Sequence, residues 1–316
     1  MALSARRMLR AILLLQGAAA IVAAAALVRF GVIGSWALAL GAALLLVVLV
    51  RAAISANNFL MTARHASPTP DGFKLGLAGQ ARLFGGEFMA SMLHSSWFMA
   101  RATPCQRIFD DARGAPVLLL HGYGCNSGYW AHLTPLLAAE RISHATVDLE
   151  PVLGAIDDYV PLVAHALDAL CTKTNAGQVI IVAHSMGGLV ARAYLRQHGA
   201  ARVAHVFTLG TPHHGTRLAN KGIGRNAAQM RRGAGSDAPE SAWLRELAAG
   251  ESAATRALIT SLYTHHDNIV APQTSSELPG ARSIEFGGVG HVALGRSRTV
   301  LTCLMREIAM MSTRKI

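Results

Sequence analysis

The chain has 316 residues, 52% of them hydrophobic, and a formal net charge of +11 from 29 Lys+Arg against 18 Asp+Glu. The basic residues are mostly scattered singly and are not interleaved with aromatics, which argues against a nucleic-acid partner; Cys105, Cys125, Cys171 and Cys303 fit neither a zinc pattern nor a CxxC redox motif, and they read as buried or free thiols, with one disulfide open to them but nothing demanding it. The apolar excess is concentrated in residues 11–50, which leaves about 250 residues, enough for one large single-core domain.

Residues 11–28 are apolar apart from Gln16, and residues 32–50 are apolar apart from Ser35. Each stretch is close to the about 20 residues a helix needs to cross the hydrocarbon of a bilayer. Arg29-Phe30-Gly31 separates them, so residues 1–51 are expected to form a two-helix transmembrane hairpin. A cleaved signal peptide is the rival, since Arg6, Arg7 and Arg10 precede an Ala-rich run, but a second full-length apolar stretch follows almost at once. Arg6, Arg7 and Arg10 before the first span and Arg51 and Arg64 after the second place both flanks in the cytoplasm under the positive-inside bias. The bilayer itself, and anionic headgroups in particular, is therefore the expected macroscopic partner.

Residues 52–114 read as a linker followed by an amphipathic helix. Asn57, Asn58, Pro68, Pro70 and Gly72 mark the linker, and the apolar spacing from Leu83 to Phe98 marks one face of a helix. That helix would either pack on the domain that follows or lie on the membrane surface.

From 115 to 316 short apolar runs alternate with helical patterns. Strands are expected at 116–120, 144–149, 178–183, 203–209, 258–263 and 282–286, and helices at 129–140, 157–170, 189–197 and 298–310. Such alternation predicts an α/β fold with a mostly parallel sheet and helices on both faces.

The strongest local signal is Val182-Ala183-His184-Ser185-Met186-Gly187-Gly188. An apolar strand runs directly into a small-x-Ser-x-Gly turn and then a helix, the context of a nucleophile elbow. Small residues two positions to either side, here Ala183 and Gly187, let the turn hold Ser185 in a strained conformation at the carboxyl end of the sheet. A serine hydroxyl needs a base, and the base needs an orienting carboxylate. With the order nucleophile, acid, histidine, the candidates are Asp267, just after the 258–263 strand, and His291, in the glycine-rich run Phe286-Gly-Gly-Val-Gly-His291. The expected oxyanion donors are the N–H of Met186, directly after the serine, and the N–H of Tyr123 in His121-Gly-Tyr-Gly124. Tyr123, His184 and His213 are further candidates for substrate contact.

With these residues in place, the chain resembles bacterial lipases and esterases of the α/β-hydrolase superfamily. The matching pieces are His121-Gly-Tyr-Gly124, Ala183-His-Ser-Met-Gly-Gly188, Thr211-Pro-His-His-Gly-Thr216, Asp267-Asn-Ile-Val270 and Gly288-Val-Gly-His291, in the family's order. The resemblance implies the α/β-hydrolase fold, Ser185, Asp267 and His291 as a triad, an apolar acyl ester or lipid as substrate, and no metal or organic cofactor. It also implies a cap or lid at about 215–247. Together with the hairpin it points to a multi-pass protein of the bacterial inner membrane with the triad on the cytoplasmic side. The chain departs from the family in having Tyr123 where an aliphatic residue is common, Ala183 where glycine is more frequent, and a hairpin that secreted lipases lack. A thioesterase or acyltransferase would use the same three residues; a catalytically silent membrane-associated binding module is the reading from another class, against which the intact set argues.

Overall fold

The computed structural model describes residues 4–233 and 239–313. Helix α1 spans Ala5–Arg29 and helix α2 spans Trp36–Ala63, and both are long and apolar enough to cross a membrane. They pack through small side chains: Ala20 and Ala24 of α1 and Ala39 and Ala43 of α2 form the buried seam, which lets the two backbones approach closely. Leu14, Leu15, Leu45 and Leu46 point outward and are exposed. At one end of the hairpin Arg10 Nε donates to the carbonyl of Ala100 at 2.8 Å, and Arg51 Nη1 donates to Ser96 Oγ at 2.7 Å. Arg29 lies at the opposite end.

Helix α2 does not stop at 50. It continues through residues 51–63, where the sequence suggested a linker. Ala52, Ala53, Ala56, Leu60 and Met61 favour helix, Asn57 and Asn58 are too weak to end it, and the first strong breaker is Pro68. The added turns bring Phe59 against Phe84, with ring centroids 6.0 Å apart. Phe84 lies on α3, Leu77–Leu93, which continues through a π-turn at His94–Phe98. The buried face of α3 carries Leu83, Glu87 and Ala90 and packs on the following domain rather than standing free.

That domain contains a seven-stranded sheet in the order β1-β3-β2-β4-β5-β6-β7. The strands are β1 (Gln106–Arg107), β2 (Val117–Leu120), β3 (His144–Val147), β4 (Val179–His184), β5 (Val203–Leu209), β6 (Ile259–Thr264) and β7 (Arg282–Phe286). Only β1 runs antiparallel. It is a two-residue exposed edge with no apolar alternation, so it gave no sequence signal. Period-two burial sends Leu118 and Leu120 into one core layer with Val163, Leu167 and Leu170, and Val117 and Leu119 into the other with Phe207, Val300 and Leu304. Both faces are covered by helices, which is why the central strands read as unbroken apolar runs.

This order fixes where the loops meet. The loops after β2 and β4 are neighbours because the strands are paired, with Leu120 opposite Ala183. The loop after β7 starts three strands away from β4, roughly 14 Å at about 4.8 Å per strand. Anything on that loop that acts beside β4 has to be carried back across β6 and β5.

Candidate active site

Strand β4 ends at His184, helix Met186–His198 begins two residues later, and Ser185 between them has φ 54° and ψ −125°. A non-glycine residue held in such a region costs about 1–3 kcal/mol and persists only where its surroundings impose it. Here they do. Ser185 N–H donates to Leu209 O at 2.9 Å, and Thr211 Oγ1 donates to Ser185 O at 2.9 Å. A side chain at position 187 would put Cβ 2.6 Å from Leu120 O, and one at position 122 would put it 2.9 Å from Ser185 Cβ. Gly187 and Gly122 therefore make room for the turn.

His291 Nε2 lies 3.0 Å from Ser185 Oγ, and His291 Nδ1 lies 2.8 Å from Asp267 Oδ2. The second oxygen of Asp267 accepts the N–H groups of Ile269 and Val270 at 2.8 and 2.7 Å. An ionised carboxylate at Nδ1 keeps the proton there, which leaves the Nε2 lone pair facing the serine hydroxyl. Ser185, His291 and Asp267 are only 7%, 4% and 3% exposed. Burial by itself would lower the His291 pKa, but the charge of Asp267, its hydrogen bond and the charge of Glu87 together outweigh burial, and the net displacement is upward.

Two features that sequence reasoning missed complete the arrangement. Gly210, at the end of β5 with φ 56°, has no Cβ to fill the space over which Asp267 and His291 meet: a Cβ there would lie 3.2 Å from both Asp267 Oδ2 and His291 Nδ1. Asn268 Oδ1 accepts the His291 N–H at 3.0 Å. Gly210 adjoins one recognised motif and Asn268 lies within another, yet nothing in their spacing specifies these contacts.

The loop after β2 lies against Ser185. His121 Nδ1–H donates to Gly122 O at 2.9 Å while its Nε2 accepts the Leu149 N–H at 2.9 Å, so the ring is neutral and its 3.9 Å approach to Asp148 is not an ion pair. The Cys125 N–H also donates to Gly122 O, at 3.3 Å. With that carbonyl held, the planar trans peptide directs the Tyr123 N–H the opposite way. Among the described residues, neither this N–H nor that of Met186, at the start of its helix, donates to another protein group.

The α/β hydrolase fold family model matches residues 115–242. The structure is similar to the mature Bacillus licheniformis lipase at 17% identity, over 65% of this chain and 97% of that one, with a TM-score of 0.56. It also matches the propeptide form of that lipase at 17% identity, over 66% of this chain and 53% of that one, again with a TM-score of 0.56. The chain has the α/β-hydrolase fold. A thermophilic esterase from Thermogutta terrifontis is matched at 16% identity over 67% of this chain and 100% of its own, with a TM-score of 0.48.

Within the α/β-hydrolase fold the remaining sequence candidates fall in different places. Tyr123 uses its hydroxyl to donate to Ile223 O at 2.8 Å, so the ring ties the loop after β2 to the 215–247 segment. His184 is buried; its Nε2 donates to His291 O at 3.2 Å and its ring stacks on Tyr129 at 3.9 Å. Its ring thus packs between Tyr129 and His291. His213 is removed from the role expected of it. Its Nδ1 accepts from Arg192 Nη1 at 3.5 Å, and its Nε2 donates to Thr208 Oγ1 at 3.2 Å. Arg192 is itself buried and clamped to Glu251, with Nε to Oε1 at 2.6 Å and Nη2 to Oε2 at 2.8 Å. Burial first, and then the charge of Arg192, hold the His213 pKa well below the ordinary imidazole range. His213 is thus a neutral packing residue on a buried ion pair, a setting that local sequence does not reveal. His213→Ala is expected to cost about 1–3 kcal/mol, the penalty of leaving buried polar groups without partners. Urea unfolding of the detergent-solubilised chain measures it, and an unchanged midpoint would contradict the structural role.

Proposed function

We propose that this protein is a serine carboxylic ester hydrolase that works through an acyl-enzyme. One observation carries the proposal: a continuous hydrogen-bonded line from Ser185 Oγ through His291 to Asp267, at 3.0 and 2.8 Å, attached to a serine at positive φ. His291 takes the hydroxyl proton as Ser185 attacks the ester carbonyl, and returns it to the departing alcohol. Asp267 keeps the imidazole in the reactive tautomer and stabilises its positive form. The N–H groups of Tyr123 and Met186 receive the developing oxyanion, and the N-terminal end of helix Met186–His198 adds its positive dipole end. Water then releases the acyl group by the same steps in reverse roles.

The favoured substrate is an apolar acyl ester drawn from or near a bilayer. The exposed leucines of α1 and α2 support a membrane-spanning hairpin over residues 1–51, and the clustering of Arg6, Arg10 and Arg51 at the end nearest the hydrolase domain supports a cytoplasmic location for residues 115–316 in a bacterial inner membrane. The 215–247 segment, of which 234–238 lie outside the described residues, is proposed as a cap. Its root is braced on the acid loop, with Thr216 Oγ1 donating to Ile269 O at 2.6 Å and Arg217 N–H donating to Ala271 O at 3.0 Å. Ile223 of that segment is exposed and hydrogen-bonded to Tyr123, which supports an apolar contact for an acyl chain near the loop after β2.

Ser185→Ala is expected to lower kcat on a p-nitrophenyl acyl ester by about six orders of magnitude, to the level left by oxyanion binding alone. Because His291 acts as a base only when neutral and its pKa is displaced upward, the acid limb of kcat/KM is expected above the about 6.5 of a free imidazole. Hydrolysis retained in Ser185→Ala would refute the assignment, and an acid limb below that value would contradict the upward displacement of His291. For the topology, alkaline phosphatase fused after Ile316 is expected to be inactive and a fluorescent protein at the same point to fold and fluoresce; the reverse pattern would put the hydrolase domain outside.

A further inference from the structure

Helix α3 precedes the hydrolase domain, yet it sends one charged side chain into it. Glu87 is 1% exposed, and both of its carboxylate oxygens are used. Oε1 accepts the Val292 N–H at 3.0 Å, and Oε2 accepts the Ala293 N–H at 2.9 Å. These are the two residues directly after His291. On the other side, a Cβ at Gly290 would come within 2.5 Å of Glu87 Oε2, so the residue before the histidine is glycine where the carboxylate passes.

We propose, on the basis of the hydrolase reading above, that Glu87 is a positioning residue for His291: its carboxylate grips the backbone immediately after the histidine and sets where the imidazole stands over Ser185. The loop after β7 has to return across two strands, and its glycines Gly287, Gly288 and Gly290 leave it with little stiffness of its own. Only external partners can fix it. Asn268 holds the His291 N–H, Thr264 Oγ1 holds the carbonyl of Val289 at 2.8 Å, and Glu87 holds the next two N–H groups. A carboxylate suits this better than an amide. It accepts at both ends, whereas a glutamine would turn its NH2 against one of the N–H groups.

The same side chain contributes charge. The titratable groups facing the imidazole are Asp267 from the acid loop, Glu87 from α3 and His184 from the elbow; those facing Glu87 are His291, Asp267 and the Tyr129 phenol. Burial outweighs the two backbone N–H groups and His291, so the Glu87 carboxyl is displaced upward, while those three partners pull it back toward the ionised form. The two N–H bonds favour the ionised form, and its negative charge favours the imidazolium. Removing that charge therefore lowers the His291 pKa. A residue that only packed would leave the pH profile alone.

The test uses the full chain in detergent and a p-nitrophenyl acyl ester. Glu87→Gln is expected to lower kcat by about 10- to 100-fold, the usual effect of a misplaced catalytic group, with KM nearly unchanged. The acid limb of kcat/KM should also move to lower pH. Glu87→Asp should keep the acid limb near its wild-type position and still lose kcat, because the shorter arm cannot reach both N–H groups. Leu83→Ala, which loosens the same helix without touching the carboxylate, should lower the melting temperature and leave the acid limb in place. The proposal is overturned if Glu87→Gln matches the wild type in kcat and pH profile, or if Leu83→Ala reproduces its effects. Ser185→Ala in parallel separates the two levels: wild-type Glu87→Gln kinetics with an inactive Ser185→Ala removes only the role of Glu87, while an active Ser185→Ala removes the hydrolase reading as well.

Discussion

The arrangement depends on one strained peptide turn. Ser185 is held at φ 54° between the end of β4 and a helix that starts at once, and it stays there because Leu209, Thr211 and the carbonyl of Leu120 leave the chain no other path. The strain is small beside the burial energy of the two core layers, but it decides what the sheet is able to do. It lifts a hydroxyl out of the carboxyl edge of the sheet and at the same time points the first N–H groups of a helix toward the space beside it. Gly122 and Gly187 are glycines because that turn is crowded, and every other part of the site has to come to it.

Coming to it is a problem of distance. Neighbouring strands supply the loop after β2 and the elbow, but the acid and the histidine arrive from the far side of the sheet. Gly210 clears the floor under them by omitting a Cβ, and the Asp267 carboxylate is fastened at one oxygen by its own loop so that the other is left for His291. Glu87 approaches from above. Since α3 also meets α2 through Phe84 and Phe59, the imidazole is mechanically connected to the helix that leaves the hairpin. Because α1 and α2 are long apolar helices, that connection gives the hairpin a structural relation to the site.

Much of this was legible in the sequence because it is local. Unbroken apolar runs identify strands buried on both faces, and a serine between Ala183 and Gly187 after such a run indicates a strand–turn–helix. Chain order pointed to Asp267 and His291; in the structure these two side chains lie within hydrogen-bonding distance of each other, and His291 also of Ser185. What was not legible is long-range. Glu87 is a single acidic residue on an otherwise apolar helix face, and its partners lie more than two hundred positions away. His213 looks like a ligand-facing histidine until Arg192 and Glu251 are seen beneath it. The extension of α2 to Ala63 was hidden by two asparagines that look like loop residues and are tolerated because Phe59 gains a packing partner.

The central claim is that one hydroxyl among the many serines of this chain is nucleophilic. Reaction of the full-length protein with a fluorophosphonate, followed by proteolysis and peptide mapping by mass spectrometry, tests that most directly. A single phosphonyl adduct on the peptide that contains Ser185 is the predicted result. An unmodified Ser185, or an adduct on a different serine, would contradict it.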